Sequence, residues 1–161
     1  MNARVVPIAL LLGALAACGF HLEGSTPLPR SIALVRIETS DTESDFYFGL
    51  RKALIAAGTR IDESGHDGSA TVIHVLTDLT TQRILTVSAL NVPTEYELSY
   101  QLKFSVTSQG RDLIAPETHT LVRDYNFSEN ELLAKERETR ILNEALAHDL
   151  VSVVMRRLSS L

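Results

Sequence analysis

The chain has 161 residues, 45% of them hydrophobic and 22% charged, with one cysteine, no tryptophan and a formal net charge of −5. That length suits a single domain able to bury a useful core, and a lone cysteine excludes a disulfide within the chain. The acidic balance excludes general affinity for nucleic acid or anionic membrane, so phosphate recognition would need a local basic cluster.

Met1–Arg4 carries one positive charge, and Val5–Ala17 is an apolar run of 13 residues broken only by Pro7 and Gly13. A membrane-spanning helix needs about 20 residues, so this run reads as a secretory signal peptide, residues 1–17, that is removed. The order Leu15-Ala16-Ala17-Cys18 resembles the lipobox of bacterial lipoproteins. There cleavage falls before the cysteine, the sulfur takes a diacylglycerol and the freed amine is acylated. The lipobox accounts for both the solitude and the position of Cys18, making it the lipidation site. One acyl chain binds a membrane only marginally, whereas several on one residue hold a domain firmly. In such lipoproteins an aspartate after the cysteine commonly retains the protein at the inner membrane, so Gly19 implies the outer membrane. Arg4 is the only charged residue of the leader, so the mature chain keeps 14 of its 15 basic and all 20 acidic side chains, for a net charge of −6.

Residues 18–30 form the lipidated cysteine and a tether rich in proline and glycine. Ser31–Glu38 is β-rich and reads as a first strand. Phe46, Leu50, Ala53, Leu54 and Ala57 recur at helical spacing, and Gly58 follows where a left-handed residue ends a helix. The aromatic cluster Phe46, Tyr47 and Phe48 reads as core packing. After a loop at Gly65–Ser69, Ala70–Leu79 reads as a strand. Residues 80–92 are β-branched but lack a clean apolar face, which leaves either a strand or a long hairpin arm reaching past the core.

The clearest strand is Glu95–Thr107. Its even positions from Tyr96 to Val106 are apolar and its odd positions polar, so one face packs while the other meets water or a polar partner. Ser108–Asp112 is a hairpin turn with Gly110 suited to positive φ, and a strand returns over Leu113–Tyr125, interrupted by Pro116 as suits an edge or bulge. Ser128 and Glu131 form a capping box with Phe127 and Leu132 as its hydrophobic staple. A helix from Glu129 to near Leu161 would be about 50 Å long. Its first half is polar and should project; its second carries the stripe Leu142, Leu146, Leu150, Val153 and Val154 and should pack. The order β-α-β-β-β-α predicts an α+β two-layer sandwich over residues 31–161, a mostly antiparallel four-stranded sheet with two helices on one face.

No catalytic or metal site is signalled. His21, His66, His74, His119 and His148 share no metal-ligand spacing, and a meeting of His74 with His119 across the sheet would be a structural pair. Nucleophile elbows and phosphate loops are missing from the sequence, and Glu95 and Glu97 fit a solvated strand face. Lys103, Arg111, Arg83, Lys135, Arg137 and Arg140 would make a phosphate site if the fold gathered them. The simpler reading is a helix laced by the i,i+4 pairs Glu131–Lys135 and Glu136–Arg140.

Taken together, CGFHL at Cys18–Leu22, one helix after the first strand, TEYEL at Thr94–Leu98, GRDLIAP at Gly110–Pro116 and LLAKERE at Leu132–Glu138 resemble the LPS-assembly lipoprotein family LptE over essentially the whole mature chain. The resemblance implies a non-catalytic lipoprotein, without cofactor beyond the lipid on Cys18, that forms a 1:1 complex with the outer-membrane β-barrel LptD. It sits largely in the barrel lumen as a plug, reached from the periplasmic side, and assists barrel assembly and lipopolysaccharide delivery to the outer leaflet. The family's lipopolysaccharide-binding lysine corresponds to Lys135. Where a basic residue is expected ahead of the E-Y pair, this chain has Ala89, Leu90 and Asn91. Lys135, Arg83, Arg111 and Arg137 are therefore the candidate phosphate contacts. The alternative is a free-standing periplasmic lipoprotein that binds a lipid or another envelope protein.

Overall fold

The computed structural model describes residues 28–65, 67–126 and 132–161, with side chains from residue 136 onward in the last helix. The leader, Cys18, most of the tether, the proposed capping box and the side chain of Lys135 lie outside the described residues.

A 3-10 turn at Arg30–Ile32 leads into β1 (Leu34–Glu38), followed by α1 (Asp45–Ala56), β2 (Arg60–Ile61), β3 (Thr71–Val87), β4 (Pro93–Ser108), β5 (Arg111–Asn126) and α2 (Leu132–Ser159). Ser44 caps α1, its hydroxyl accepting the Tyr47 N–H at 3.1 Å, and Asp45 favours the positive end of the helix dipole. As expected, Gly58 ends this helix at φ +88°, where a residue without Cβ is at no steric disadvantage.

The sheet has five strands in the order β2-β1-β3-β4-β5. β2 and β3 both run parallel to β1, and α1 carries the chain back over the sheet between β1 and β2. β3, β4 and β5 form an antiparallel meander. This corrects the expected four-stranded, mostly antiparallel sheet: the sheet is mixed, and β2 is the additional strand. Two residues offer no periodicity from which a strand can be read. The α+β class and the two helices stand.

Every apolar position of β4 from Leu98 to Val106 is buried, as its alternation requires. They meet Ile73 of β3, Val35 of β1, Phe46, Leu50 and Leu54 of α1, and Leu146, Leu150, Val154 and Leu158 of α2. Gly49 lets the helices approach, since a Cβ there would lie 3.1 Å from Val151 Cγ2. Two expectations are corrected in detail. The α2 stripe buries Val151 and Leu158 rather than Val153, and of the aromatic cluster only Phe46 is buried, Phe48 being 52% exposed.

Candidate functional site

β4 and β5 are each 16 residues long, about 50 Å at 3.3 Å per residue, which is longer than the packed core requires. One end of this blade adjoins the start of the domain: the Thr71 hydroxyl bonds to the Ser31 carbonyl at 2.7 Å and the Ser108 hydroxyl at 2.9 Å. The other end, from Asp78–Val87 through Pro93–Leu98 to Tyr125, extends away from the tether and is the candidate functional site.

What changes between the two ends begins at Leu76. Val75 pairs with Phe104 but Thr77 pairs with Lys103, so Leu76 is an extra residue in β3. A bulge of this kind inverts the side-chain alternation. Before it, Ile73 and Val75 face the helices; after it, Asp78, Thr80, Gln82 and Ile84 do, opposite Leu102, Tyr100, Leu98 and Tyr96. The helix-facing side therefore turns polar along β3, and polar bonds replace apolar packing there. The Asp78 carboxylate accepts from Ser44 Oγ and from Tyr100 Oη, both at 2.6 Å, fastening the N-terminus of α1 to β3 and β4. Burial, followed by the bond to Asp78, pushes the Tyr100 phenol well above the usual tyrosine range. Farther out, Gln82 Nε2 donates to Tyr125 Oη at 2.5 Å, and that oxygen lies 3.1 Å from Thr139 Oγ1 of α2. Tyr96 and Tyr125 stack at 5.6 Å. The first half of α2 is thus tied to the sheet at Thr139, a correction to the expectation that it projects freely; Glu136, Arg137, Glu138 and Arg140 are exposed along it.

Residues 80–92 resolve as the outer part of β3 followed by a tight connection. Ser88 N–H donates to the Val92 carbonyl at 2.7 Å, and Asn91 adopts φ 63°. Around this tip Ile84, Leu85, Val87 and Leu90 are exposed, Leu90 at 86%. The opposite face of the blade carries no helix and presents Thr77, Thr81, Ser99, Gln101, Thr118 and Thr120 from its three strands, with Leu79, Lys103 and Val122 among them.

The structure distributes the candidate basic residues rather than gathering them. Arg83 lies on the helix-free face, its guanidinium bidentate on Glu97 at 2.5 and 2.7 Å. That bond holds the Glu97 carboxyl below the usual carboxylate range. Arg137 is exposed on α2, across the sheet from Arg83, and the Lys135 backbone precedes it by half a turn. Arg111 pairs with Ser108, at the tether end of β4, while Arg83 pairs with Glu97, a separation of about 36 Å at 3.3 Å per residue. No single phosphate group spans Arg83 and Arg111.

His74 and His119 lie on opposite sheet faces rather than forming a pair. His74 Nδ1 is 3.1 Å from Glu38 and its Nε2 3.0 Å from Thr107 Oγ1 on the helix-free face, whereas His119 stacks on Phe104 and contacts Glu117 on the helix side. Glu95 accepts from the Thr86 hydroxyl and Glu97 from Arg83, so both expected polar-face carboxylates have partners. Among the described residues no cluster has the makings of a metal site, and no helix is long and apolar enough to cross a membrane. The ties through Asp78, Gln82, Tyr125 and Thr139 escaped sequence reasoning, because each joins residues from different elements without a shared local pattern.

The model of the lipopolysaccharide-assembly family LptE matches residues 30–158, which include the whole blade. The LPS-assembly lipoprotein LptE of Pectobacterium atrosepticum is 24% identical over 160 residues, covering 98% of this chain and 86% of the relative. Among solved structures, lipoprotein B from Nitrosomonas europaea superposes with a TM-score of 0.71 at 22% identity, over 88% of this chain and 91% of its own. A minor lipoprotein from Acinetobacter baumannii gives 0.67 at 22% identity, over 83% and 94%. These two structures share the fold.

Proposed function

The chain belongs to the LptE lipopolysaccharide-assembly family, and we propose from this premise that it is a lipid-anchored plug and assembly partner of the outer-membrane barrel LptD. The observation that carries this reading is the blade. It extends beyond the core, ends in an exposed apolar tip and leaves one long sheet face uncovered and hydroxyl-rich. Barrel lumens are polar, and this face offers such a wall its hydroxyls together with Lys103, Asp124 and the internally paired Arg83 and Glu97. A plug has to be compact and held in place, and it needs no covalent chemistry of its own.

The remaining assignments are part of the same proposal. Residues 1–17 are the leader, Cys18 bears the lipid, and residues 18–30 tether the domain to the periplasmic side of the outer membrane. Lys135 and Arg137, two residues and half a turn apart on α2, are the favoured contacts for lipopolysaccharide phosphates. Arg83 can join them only by leaving Glu97, and Arg111 would serve a different contact at the other end of the sheet.

The deciding experiment is purification of the lipidated protein from detergent-solubilised outer membranes, with identification of what stays bound at high salt. A stoichiometric β-barrel is the expected result. Recovery of the lipoprotein alone, from membranes that contain the barrel, would refute the plug and favour the free-standing lipoprotein. With the complex in hand, Lys135→Asp should weaken lipopolysaccharide binding while leaving the 1:1 ratio unchanged.

A further inference from the structure

We propose that the groove between α1 and the open end of β1 is a binding site for a neutral saccharide. The inference does not depend on the barrel reading.

The groove follows from where β2 stops. Arg60 N–H donates to the Ala33 carbonyl at 3.0 Å and Asp62 N–H to the Val35 carbonyl at 2.8 Å, so alternate residues of β1 aim their backbone at β2. β2 ends at Ile61 while β1 continues to Glu38, and the same alternation aims the Ile37 carbonyl past that end. The chain turns at Asp62, whose Oδ1 accepts from the Ser64 N–H, the Ser64 hydroxyl and the Gly65 N–H at 3.1, 2.6 and 3.2 Å. What is left is a groove of about 560 Å³, with Ile37 and Ile61 on the sheet side and Tyr47, Phe48 and Arg51 on the helix side. That volume is in the range of small-molecule sites.

Its chemistry narrows the ligand. Among the described residues its charged lining is Arg36 and Arg51 with Glu43, Asp62 and Glu63. Both cations are matched within the chain, Arg36 by Asp62 and Arg51 by Glu63. A phosphate entering here would meet three carboxylates, and an amine would meet two guanidiniums, so a ligand of either sign faces like charge. A neutral polyol escapes this conflict, because each of its hydroxyls both donates and accepts.

Arg36 is the residue best placed to turn toward such a ligand. Its Nη2 donates to the Asp67 carbonyl at 3.0 Å, but Nη1 lies 3.7 Å from Glu38. Nε faces Asp62 Oδ2 at 3.4 Å, and neither of these buried atoms makes a hydrogen bond. A small rotation of the guanidinium therefore gives up an ion pair of poor geometry and offers N–H donors to a hydroxyl. The aromatic pair supplies the platform. Phe48 is 52% exposed, and Tyr47 meets it edge-on at 5.7 Å between centroids. An aromatic face is electron-rich, which suits the C–H face of a sugar ring.

The test is saturation-transfer difference NMR on the full chain, expressed with its own leader and kept in a sugar-free detergent. The probes are chitotriose, representing an N-acetylated glycan strand, and maltotriose, representing the plain hexoses of a glycolipid; the stronger signal distinguishes these sources. The expected result is transfer to ring C–H protons of a neutral probe, reduced several-fold by Phe48→Ser. Ile55→Ser should leave the signal unchanged, because Ile55 is 49% exposed on the same helix but does not line the groove. Trigalacturonate and the glucosamine trimer, anionic and cationic, should each give a signal several-fold weaker than the neutral probe. Both variants should keep a native circular dichroism spectrum, since each changes an exposed side chain. Absence of transfer to both neutral probes would overturn the proposal. So would a signal that survives Phe48→Ser, or a charged trimer that binds as well as the neutral ones.

Discussion

β3 is one continuous strand with two characters. Over Thr71–Val75 every second residue is buried, whereas from Thr80 to Val87 every side chain is exposed. The near half belongs to a core closed by both helices. The far half belongs to the blade, held by a few hydroxyl, amide and aromatic contacts while presenting apolar side chains at its tip. One inserted residue, Leu76, separates them. The comparison teaches that a strand can be extended past its core when a bulge turns polar residues inward and the neighbouring elements supply them with partners.

The largest expected effect breaks the near half. Phe104 is fully buried in the shared core, and Phe104→Ala should cost about 3–5 kcal/mol, read as a lower urea midpoint at unchanged slope. Ile84→Ala in the far half removes a side chain that is 53% exposed and should change stability by less than about 0.5 kcal/mol. Equal losses at the two positions would mean that the blade is cored like the rest of the domain.

The same division explains how far the sequence could be read. The near half was legible because β4 alternates strictly, and because Phe46, Leu50 and Leu54 keep helical spacing up to Gly58. The far half of β3 was ambiguous because Asp78, Thr80 and Gln82 occupy the helix-facing side that an apolar pattern would mark. A bulge at Leu76 has no local signature, so the phase change cannot be seen without the partner strand. The candidate basic residues were legible as residue types only. Whether Arg83 shares a face with α2 depends on that phase, and whether it lies near Arg111 depends on the length of the meander. The parallel strand β2 was invisible because Arg60 and Ile61 earn their place through pairing with Leu34 and Val35, not through any pattern of their own.

At the junction of the halves, Asp78→Ala would leave the buried Tyr100 hydroxyl without its acceptor and free the Ser44 side chain from β3. The expected cost is about 1–3 kcal/mol by chemical denaturation. A pH series sharpens this result. Because the folded protein raises the Tyr100 pKa, its contribution is intact below the ordinary tyrosine value and declines as the pH rises from there. Asp78→Ala, lacking one cause of that shift, should lose stability less steeply above about pH 10.

Farther out, Tyr125→Phe keeps the stack on Tyr96 but removes the oxygen shared by Gln82 and Thr139. A loss of about 0.5–1.5 kcal/mol is expected. Amide exchange should localise it, with faster exchange in the first half of α2 and the outer part of β4 while the core amides of β4 stay protected. Uniform acceleration would show that the far half unfolds only with the whole domain.

The smallest effect at neutral pH is expected for Arg83→Ala, and its value lies in its pH dependence. Arg83 is 69% exposed, and an exposed ion pair on a strand face adds little to stability in water, so the neutral urea midpoint should not move measurably. The guanidinium nevertheless holds the Glu97 carboxyl below its usual range. A carboxyl depressed in the folded state contributes stability above its unfolded pKa and loses it as the pH falls through the folded value. Arg83→Ala removes that contribution, so the decline in stability from neutral to acid pH should become shallower. Glu117 supplies the near-half counterpart: burial alone would raise its pKa, but hydrogen bonds from His119 and Arg157 bring it below the usual range. Arg157→Ala should likewise flatten the acid limb. If Arg83→Ala also leaves lipopolysaccharide binding intact, the guanidinium is committed to Glu97 and drops out of the proposed phosphate contacts. Weaker binding at unchanged neutral stability would instead show that the ligand draws Arg83 away from its carboxylate. The helix-free face of the far half would then take part in recognition along with the helix.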